Sequence, residues 1–321
     1  MRVGLIGYGY WGINLARVIN EADGMELMCI CDLDGERLNE AKKLYSCSFV
    51  SSLEEILALD IEAVFIATPP STHYAVAKAA LMSHKHIFVE KPFVMKLEDA
   101  YDLIELADKK GLLYMVDHIF IYSEPVKYLK SNIEQFGDIV YVNARRINLG
   151  LFQYTTDVIW DLAVHDLSII DYLIGLDISR VSVFKQKYKN FPNEAIANID
   201  LELKSGTVVN LNVSWLSPVK IREMMIGGTK MTAMYNDTLE DKLKLYKAGI
   251  IFEKDLSKAE LYQQMIKYDY GETVIPVLNS QKSLNNSVEH FRDCIIKKQE
   301  PITGKKSILN VIKALEIISK V

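Results

Sequence analysis

Asp161 and His165 stand four residues apart in 160-WDLAVHD-166, within the apolar run 158-VIWDLAVHDLSIIDYLIG-175. Ionisable groups in such company need partners, because desolvating an unpaired charge is costly. Three chemistries suit the pair: a metal site, a structural buried pair, or an acid–base pair. A catalytic zinc needs a third protein ligand, and no HExxH pattern or further ligand at a suitable spacing supplies one. The metal reading therefore falls, while the structural and acid–base readings both stay open. A helix starting near Asp157 and stopped by Gly175 places Asp161, His165, Ser168 and Tyr172 along one stripe. On that stripe Asp161 would orient His165 or meet a substrate hydroxyl, and His165 has the titration range of a general base.

A second candidate lies in 89-VEKPF-93. Pro92 restricts Lys91 to extended backbone, which directs the ammonium into a cleft, where it would hold a substrate oxygen and steady a developing alkoxide. The alternative is a solvated loop lysine paired with Glu90. The third candidate is 7-GYGYWG-12, set between an apolar strand and a helix beginning near Ile13. Gly7 permits the tight turn, Gly9 admits a pyrophosphate, and Gly12 lets helix and strand pack closely. The phosphates would rest on the helix N-terminus, beside Tyr10 and Trp11. Asp32 follows Gly12 by twenty residues, placed to accept from ribose hydroxyls. Its carboxylate favours NAD over NADP, although Arg37 nearby is a residue that a 2′-phosphate would choose.

Ligands in open α/β sheets bind beyond the carboxyl ends of the strands. That edge also receives 67-ATPPSTHY-74, where Thr68 and Pro69 make a rigid turn alongside the nicotinamide ribose. His73 either contacts the cofactor or caps the next helix. His118, in 117-DHIF-120, and Asn148 are further candidates for the substrate side, with Arg146, Lys220 and Arg222 as weaker ones.

The elements that must position these residues follow from periodicity. Strand patterns at 2–6, 25–31, 61–68, 86–90 and 112–116, with a weaker one at 48–50, alternate with helical patterns at 52–59, 72–82 and 97–111. Ser52 and Glu55 fit a capping box. This alternation predicts a doubly wound parallel sheet over residues 1–120. From 121 to 321 the rhythm changes: helices at about 124–135 and across 158–175, a strand at 138–148, then strands at 179–188, 195–204, 207–215, 220–227 and 230–236 with short turns, Ser205-Gly206 among them. The fold class is thus α/β, an N-terminal Rossmann domain plus a C-terminal α+β domain with a large open, mainly antiparallel sheet. Helical patterns at 286–297 and 306–320 close the chain, and the last helix has the option of packing back on the first domain.

Composition narrows the function classes. The chain has 321 residues, half of them hydrophobic, and a formal charge of −5. That charge leaves no footprint for nucleic acid, and no segment reaches the ~18 apolar residues of a membrane span. Cys29, Cys31, Cys47 and Cys294 form no disulfide framework. With an N-terminus that runs straight into a strand, they point to a cytoplasmic protein.

GYGYWG after the first strand, ATPPSTHY after the fourth, VEKP after the fifth, and Asp-x-x-x-His on a helix entering an antiparallel sheet together resemble the Gfo/Idh/MocA oxidoreductase family over essentially the whole chain. The resemblance implies an NAD(P)-dependent dehydrogenase acting on CH–OH groups of sugars. It maps the family's lysine onto Lys91 and its Asp-x-x-x-His onto Asp161 and His165, and it implies a homodimer or homotetramer built through the C-terminal sheet. Where many members have a glycine-rich approach to that helix, this chain reads 154-YTTDVIWDLAVHD-166. That form, with GYWG and 145-RRINLG-150, looks most like members of nucleotide-sugar biosynthesis, some of which oxidise the 3-hydroxyl of a UDP-linked N-acetylated hexuronate. A free-sugar or cyclitol dehydrogenase, a redox-assisted elimination or hydrolysis with tightly held NAD, and a non-catalytic dinucleotide-binding regulator are the competing readings.

Overall fold

The computed structural model describes residues 1–247, 257–260, 271–279 and 282–321. Six short strands, β1 (Arg2–Ile6), β2 (Glu26–Cys31), β3 (Ser48–Val50), β4 (Ala63–Ile66), β5 (His86–Val89) and β6 (Tyr114–Val116), pair in parallel in the order β3-β2-β1-β4-β5-β6. The order reverses between β1 and β4, which opens a crevice at the strands' carboxyl ends. Buried on both faces, these strands carry near-continuous apolar runs such as Val3-Gly4-Leu5-Ile6 and Ala63-Val64-Phe65-Ile66. The helices between them are α1 (Tyr10–Glu21), α2 (Gly35–Ala41), α3 (Leu53–Ala58), α4 (His73–Met82) and α5 (Leu97–Lys110). α5 ends at Gly111, whose φ of +64° is the left-handed stop that the sequence announces. Ser52 caps α3 by accepting from the Glu55 N–H, and its hydroxyl donates to the Glu54 carboxylate, so the cap is made without the reciprocal bond from Glu55 that would complete the box.

After α6 (Glu124–Asn132) the chain builds a second sheet of eight strands, in the order β14-β13-β12-β11-β7-β10-β9-β8. They are β7 (Ile139–Leu149), β8 (Ile178–Lys187), β9 (Glu194–Leu203), β10 (Val208–Ser214), β11 (Leu216–Gly228), β12 (Thr232–Asn236), β13 (Leu243–Tyr246) and β14 (Thr273–Val274). Every pairing is antiparallel except β7 with β10. Along β9 and β10 apolar residues alternate inward while Asn198, Asp200, Asn210 and Asn212 line the outer face. There the Asn210 amide donates to Asp200 (2.6 Å) and the Asn212 amide to Asn198 (2.8 Å).

The helix that begins with the opening motif covers the inner face. It starts as one π-helical turn (Ile159–Ala163) and continues as α7 (Val164–Ile174), with Asp157 accepting from the N–H groups of Ile159 and Trp160, both at 2.9 Å. The last two helices are α8 (Ser283–Lys297) and α9 (Lys305–Ser319). α8 belongs physically to the first sheet: Phe291 meets Phe65 and Phe88 edge-on, with centroids 5.3 and 5.5 Å apart. α9 packs between α5 and α7. Among the described residues no helix is long and apolar enough to cross a membrane.

Candidate active site

At the reversal point of the parallel sheet lies a cleft of about 710 Å³. One wall is the glycine turn. Gly7 has φ +96°, and a Cβ there would fall 2.6 Å from the Ala67 carbonyl oxygen; at Gly12 it would fall 2.0 Å from the Gly7 oxygen. Gly9 differs, since a Cβ on it would meet only the Arg37 guanidinium at 3.6 Å. Two glycines thus hold the turn closed and the third leaves space over α1. No side chain caps α1 and its first turn holds no acid, so its free N–H groups suit a pyrophosphate. Asp32, almost buried at the end of β2, accepts from the N–H of Tyr8 (2.6 Å) and of Asp34 (2.8 Å). The carboxylate therefore braces the turn as well as facing the cleft. Arg37 lies 3.8 Å from Asp32 and 3.4 Å from Asp34. Held between two carboxylates, it is already neutralised, and a 2′-phosphate would have to displace them. The residues fit NAD.

The floor is made by Lys91. Its peptide to Pro92 is cis, and its ammonium donates to the Asp161 carboxylate and to the Asp161 main-chain oxygen, both at 2.8 Å. The other carboxylate oxygen accepts from the indole N–H of Trp215 at 2.9 Å. Trp215 is buried, and Gly150 makes room for it: a Cβ there would lie 2.3 Å from the indole. Neither Trp215 nor Gly150 is visible as a site residue by motif, although a tryptophan ending a buried strand must find a partner for its N–H.

The Asp161–His165 pairing expected from helical spacing is not made. The π-turn carries more residues per turn than an α-helix, so positions four apart leave the common stripe, and Asp161 turns to Lys91 instead. His165 is buried and is not among the residues that line the cleft. Its ring meets the Phe120 ring edge-on at 5.0 Å, and Nδ1 is buried without a partner among the described residues. Burial, then the Lys91, Arg146 and Arg222 cations, hold its imidazole well below the ordinary range. His118 is also buried rather than at the cleft mouth; burial and Lys91 depress it to about 3. Both histidines are neutral at neutral pH.

His73 neither caps α4 nor lines the cleft. Its ring nitrogens face the main-chain oxygens of Pro92 and Thr68, each at 2.8 Å. It ties the loop after β5 to the turn after β4, and burial holds the ring below its usual range. Asn148 shares the inward face of β7 with Arg146 but lies beyond the cleft lining. Arg146 does not reach the cleft either; it is buried in a bidentate pair with Asp166, with bonds of 2.7 to 3.1 Å. Thr68, Pro69, Tyr10, Trp11 and Glu90 do line the cleft, and Gln153, Thr156 and Trp160 close its far side.

Fold and cleft define the class: a dinucleotide-binding oxidoreductase with a parallel nucleotide-binding domain and a sheet domain that reaches back to it through Asp161. Residues 1–118 match the model of an oxidoreductase family with an NAD-binding Rossmann fold, and residues 134–234 match the GFO/IDH/MocA C-terminal domain. A UDP-N-acetylglucosamine 3-dehydrogenase of Acidithiobacillus ferrooxidans is 32% identical over 255 residues, 78% of each chain. A solved structure of that bacterium's UDP-N-acetylglucosamine 3-dehydrogenase superposes with a TM-score of 0.85, covering 99% of this chain and 96% of that one at 25% identity. A 2,7-anhydro-N-acetylneuraminate hydratase of Escherichia coli is 30% identical over 146 residues, 44% of this chain and 39% of its own. The chain belongs to the Gfo/Idh/MocA oxidoreductase family and is an NAD(P)-dependent dehydrogenase.

Proposed function

We propose that the chain moves hydride between NAD and a secondary hydroxyl or ketone of a UDP-linked N-acetylated sugar, at the 3-position. The observation that carries the reading is the Lys91–Asp161 clasp at the floor of the cleft, below the glycine turn. Bound NAD supplies the hydride acceptor. Lys91 holds the substrate oxygen and stabilises negative charge on it as its proton leaves, in a site where a fixed cation acts more strongly than in water. Asp161, itself pinned by Trp215, keeps the ammonium aimed. Neutral His165, one turn along the helix from Asp161, is the proton acceptor. The likeness to a UDP-N-acetylglucosamine 3-dehydrogenase across 78% of both chains supports the nucleotide-sugar class; a hexuronate or a hexosamine fits it equally. The four unpaired cysteines suit a reducing, cytoplasmic setting, and the open outer face of the second sheet suits a homodimer or homotetramer.

The test is a panel of UDP-N-acetylglucosamine, its C6 uronate, free N-acetylglucosamine and myo-inositol, read at the nicotinamide absorbance band and by product mass. The expected result is a two-hydrogen loss from a nucleotide sugar with matching NADH. Faster turnover of myo-inositol would favour the cyclitol reading. Loss of water without net NADH would favour elimination, and NAD binding without turnover on any arm would favour a regulator.

A further inference from the structure

Arg146 on β7 and Arg222 on β11 are register partners, directly opposite on adjacent strands. Like charges in that position repel. Both guanidinium groups lie over one ring, Phe120, with their central carbons 4.4 and 5.8 Å from its centroid. The same ring takes the edge of His165. Each arginine has one carboxylate: Asp166 for Arg146, and Asp237 for Arg222 at 3.2 Å. Yet Nη1 of Arg146 and Nε of Arg222 are buried without partners among the described residues, as is Nδ1 of His165. Anchoring α7 to the sheet needs only the Arg146–Asp166 pair, so Arg222 is surplus to that purpose.

The surroundings of His165 are one-sided. The charges that bear on its ring are those of Lys91 in the loop after β5, Arg146 on β7 and Arg222 on β11, with neutral His118 in the loop after β6. On its own helix, Asp161 has both carboxylate oxygens on Lys91 and Trp215, and Asp166 has both on Arg146. The neighbouring carboxylates are thus engaged by other cations and donors, and what remains around the ring is positive or apolar.

We propose that Arg146 and Arg222 are positioning residues: sharing the face of Phe120, whose ring takes the edge of His165, they set the place of that imidazole and add their positive charge to its surroundings. The inference rests on the reading of His165 as that acceptor. Each cation raises the free energy of an imidazolium beside it, and the desolvated site amplifies the effect. Removing one cation therefore raises the histidine's pKa toward its ordinary value.

The experiment titrates the whole chain, labelled at histidine with ¹³C and ¹⁵N, in the wild type, in Arg222→Met, and in the double variant Arg146→Met/Asp166→Leu. The double change removes both charges together and leaves no buried carboxylate unpaired. The Arg222 side chain is 31% exposed, so that variant keeps the fold intact if the double variant does not. The His165 ring, assigned by its loss in His165→Asn, is expected to titrate at higher pH in Arg222→Met than in the wild type, and Arg222→Lys to restore it. The acid limb of kcat/KM should move by the same amount. A ring that does not move in a folded variant overturns the proposal. A ring that moves while the acid limb stays put leaves the control of charge standing and overturns the choice of His165 as proton acceptor.

Discussion

Polar contacts at the glycine turn run largely through main chain: Gly7 N–H to the Cys31 oxygen, and the N–H groups of Tyr8 and Asp34 to the Asp32 carboxylate. At the floor of the same cleft they run through side chains of distant segments. Lys91 and Asp161 are 70 positions apart and Asp161 and Trp215 are 54 apart, and outside the cleft lining the buried pair Arg146 and Asp166 is 20 apart. The first region is a backbone shape with room left in it. The second is a set of charges, each needing a particular partner because burial makes an unpaired one costly. Substitutions should therefore separate the two: the turn governs how well NAD is held, and the floor governs what happens once it is held.

Lys91→Met gives the sharpest separation. It removes the cation proposed to meet the substrate oxygen and leaves the glycine turn untouched. Turnover is expected to fall by about 10³-fold, the scale of losing a preorganised charge at a developing oxyanion. NAD affinity, measured by quenching of protein fluorescence, should change less than about threefold, under ~0.7 kcal/mol. If NAD binding weakened as much as turnover, the separation between turn and floor would be wrong.

The same separation explains what the sequence makes legible. GYGYWG, Asp32 and Lys91-Pro92 are local patterns whose geometry is settled by a strand end, a glycine or a proline within a few residues. Asp161 and His165 stand out by type, but their partners do not. The helical period predicts that they face each other, and nothing in 158-VIWDLAVHD-166 announces a π-turn. Trp215 and Arg222 arrive from strands whose alternation tells which residues are buried and not what they meet. His73 is legible as a residue beside the turn, yet its partners are carbonyl oxygens, which every residue has. Helix α8 reads as part of the C-terminal half by chain order and packs on the first sheet because its Phe291 completes an aromatic cluster there.

Trp215→Phe tests the floor at one remove. Phenylalanine retains a ring in the space Gly150 leaves, and loses the N–H that holds Asp161. A hydrogen bond to a charged acceptor contributes about 1.5–3 kcal/mol, so kcat is expected to fall about 10- to 100-fold with KM for NAD unchanged. An unchanged kcat would show that Lys91 alone keeps Asp161 in place.

The smallest expected effect lies at the seam between the regions. Asp117 donates its N–H to the Val89 oxygen at the end of β5, and its carboxyl accepts from Ser287 on α8 at 2.8 Å. Glu90, just after β5, has one carboxyl oxygen buried without a partner among the described residues. Burial raises both acids, Asp117 to about 7 and Glu90 well above its ordinary range, where the neighbouring Asp117 adds to the effect. A carboxyl raised in the folded chain binds its proton more tightly than in the unfolded one. Its contribution to stability is therefore full below the ordinary value of about 4 and is lost as pH rises through about 7. His118 and His165 act in the opposite sense: held neutral, they cost stability as pH falls below about 6.5. The two effects oppose each other where their ranges overlap, from about pH 4 to about 6.5. Asp117→Asn keeps an acceptor for Ser287 and removes one proton from the range between about 4 and 7, where its slope is at most about 1.4 kcal/mol per pH unit. Melting temperatures between about pH 4 and 7 should then fall less, or rise more, with pH in the variant than in the wild type, and the two curves should run parallel above about pH 7. Curves parallel below about pH 7 as well would mean that Asp117 is already ionised in the folded chain.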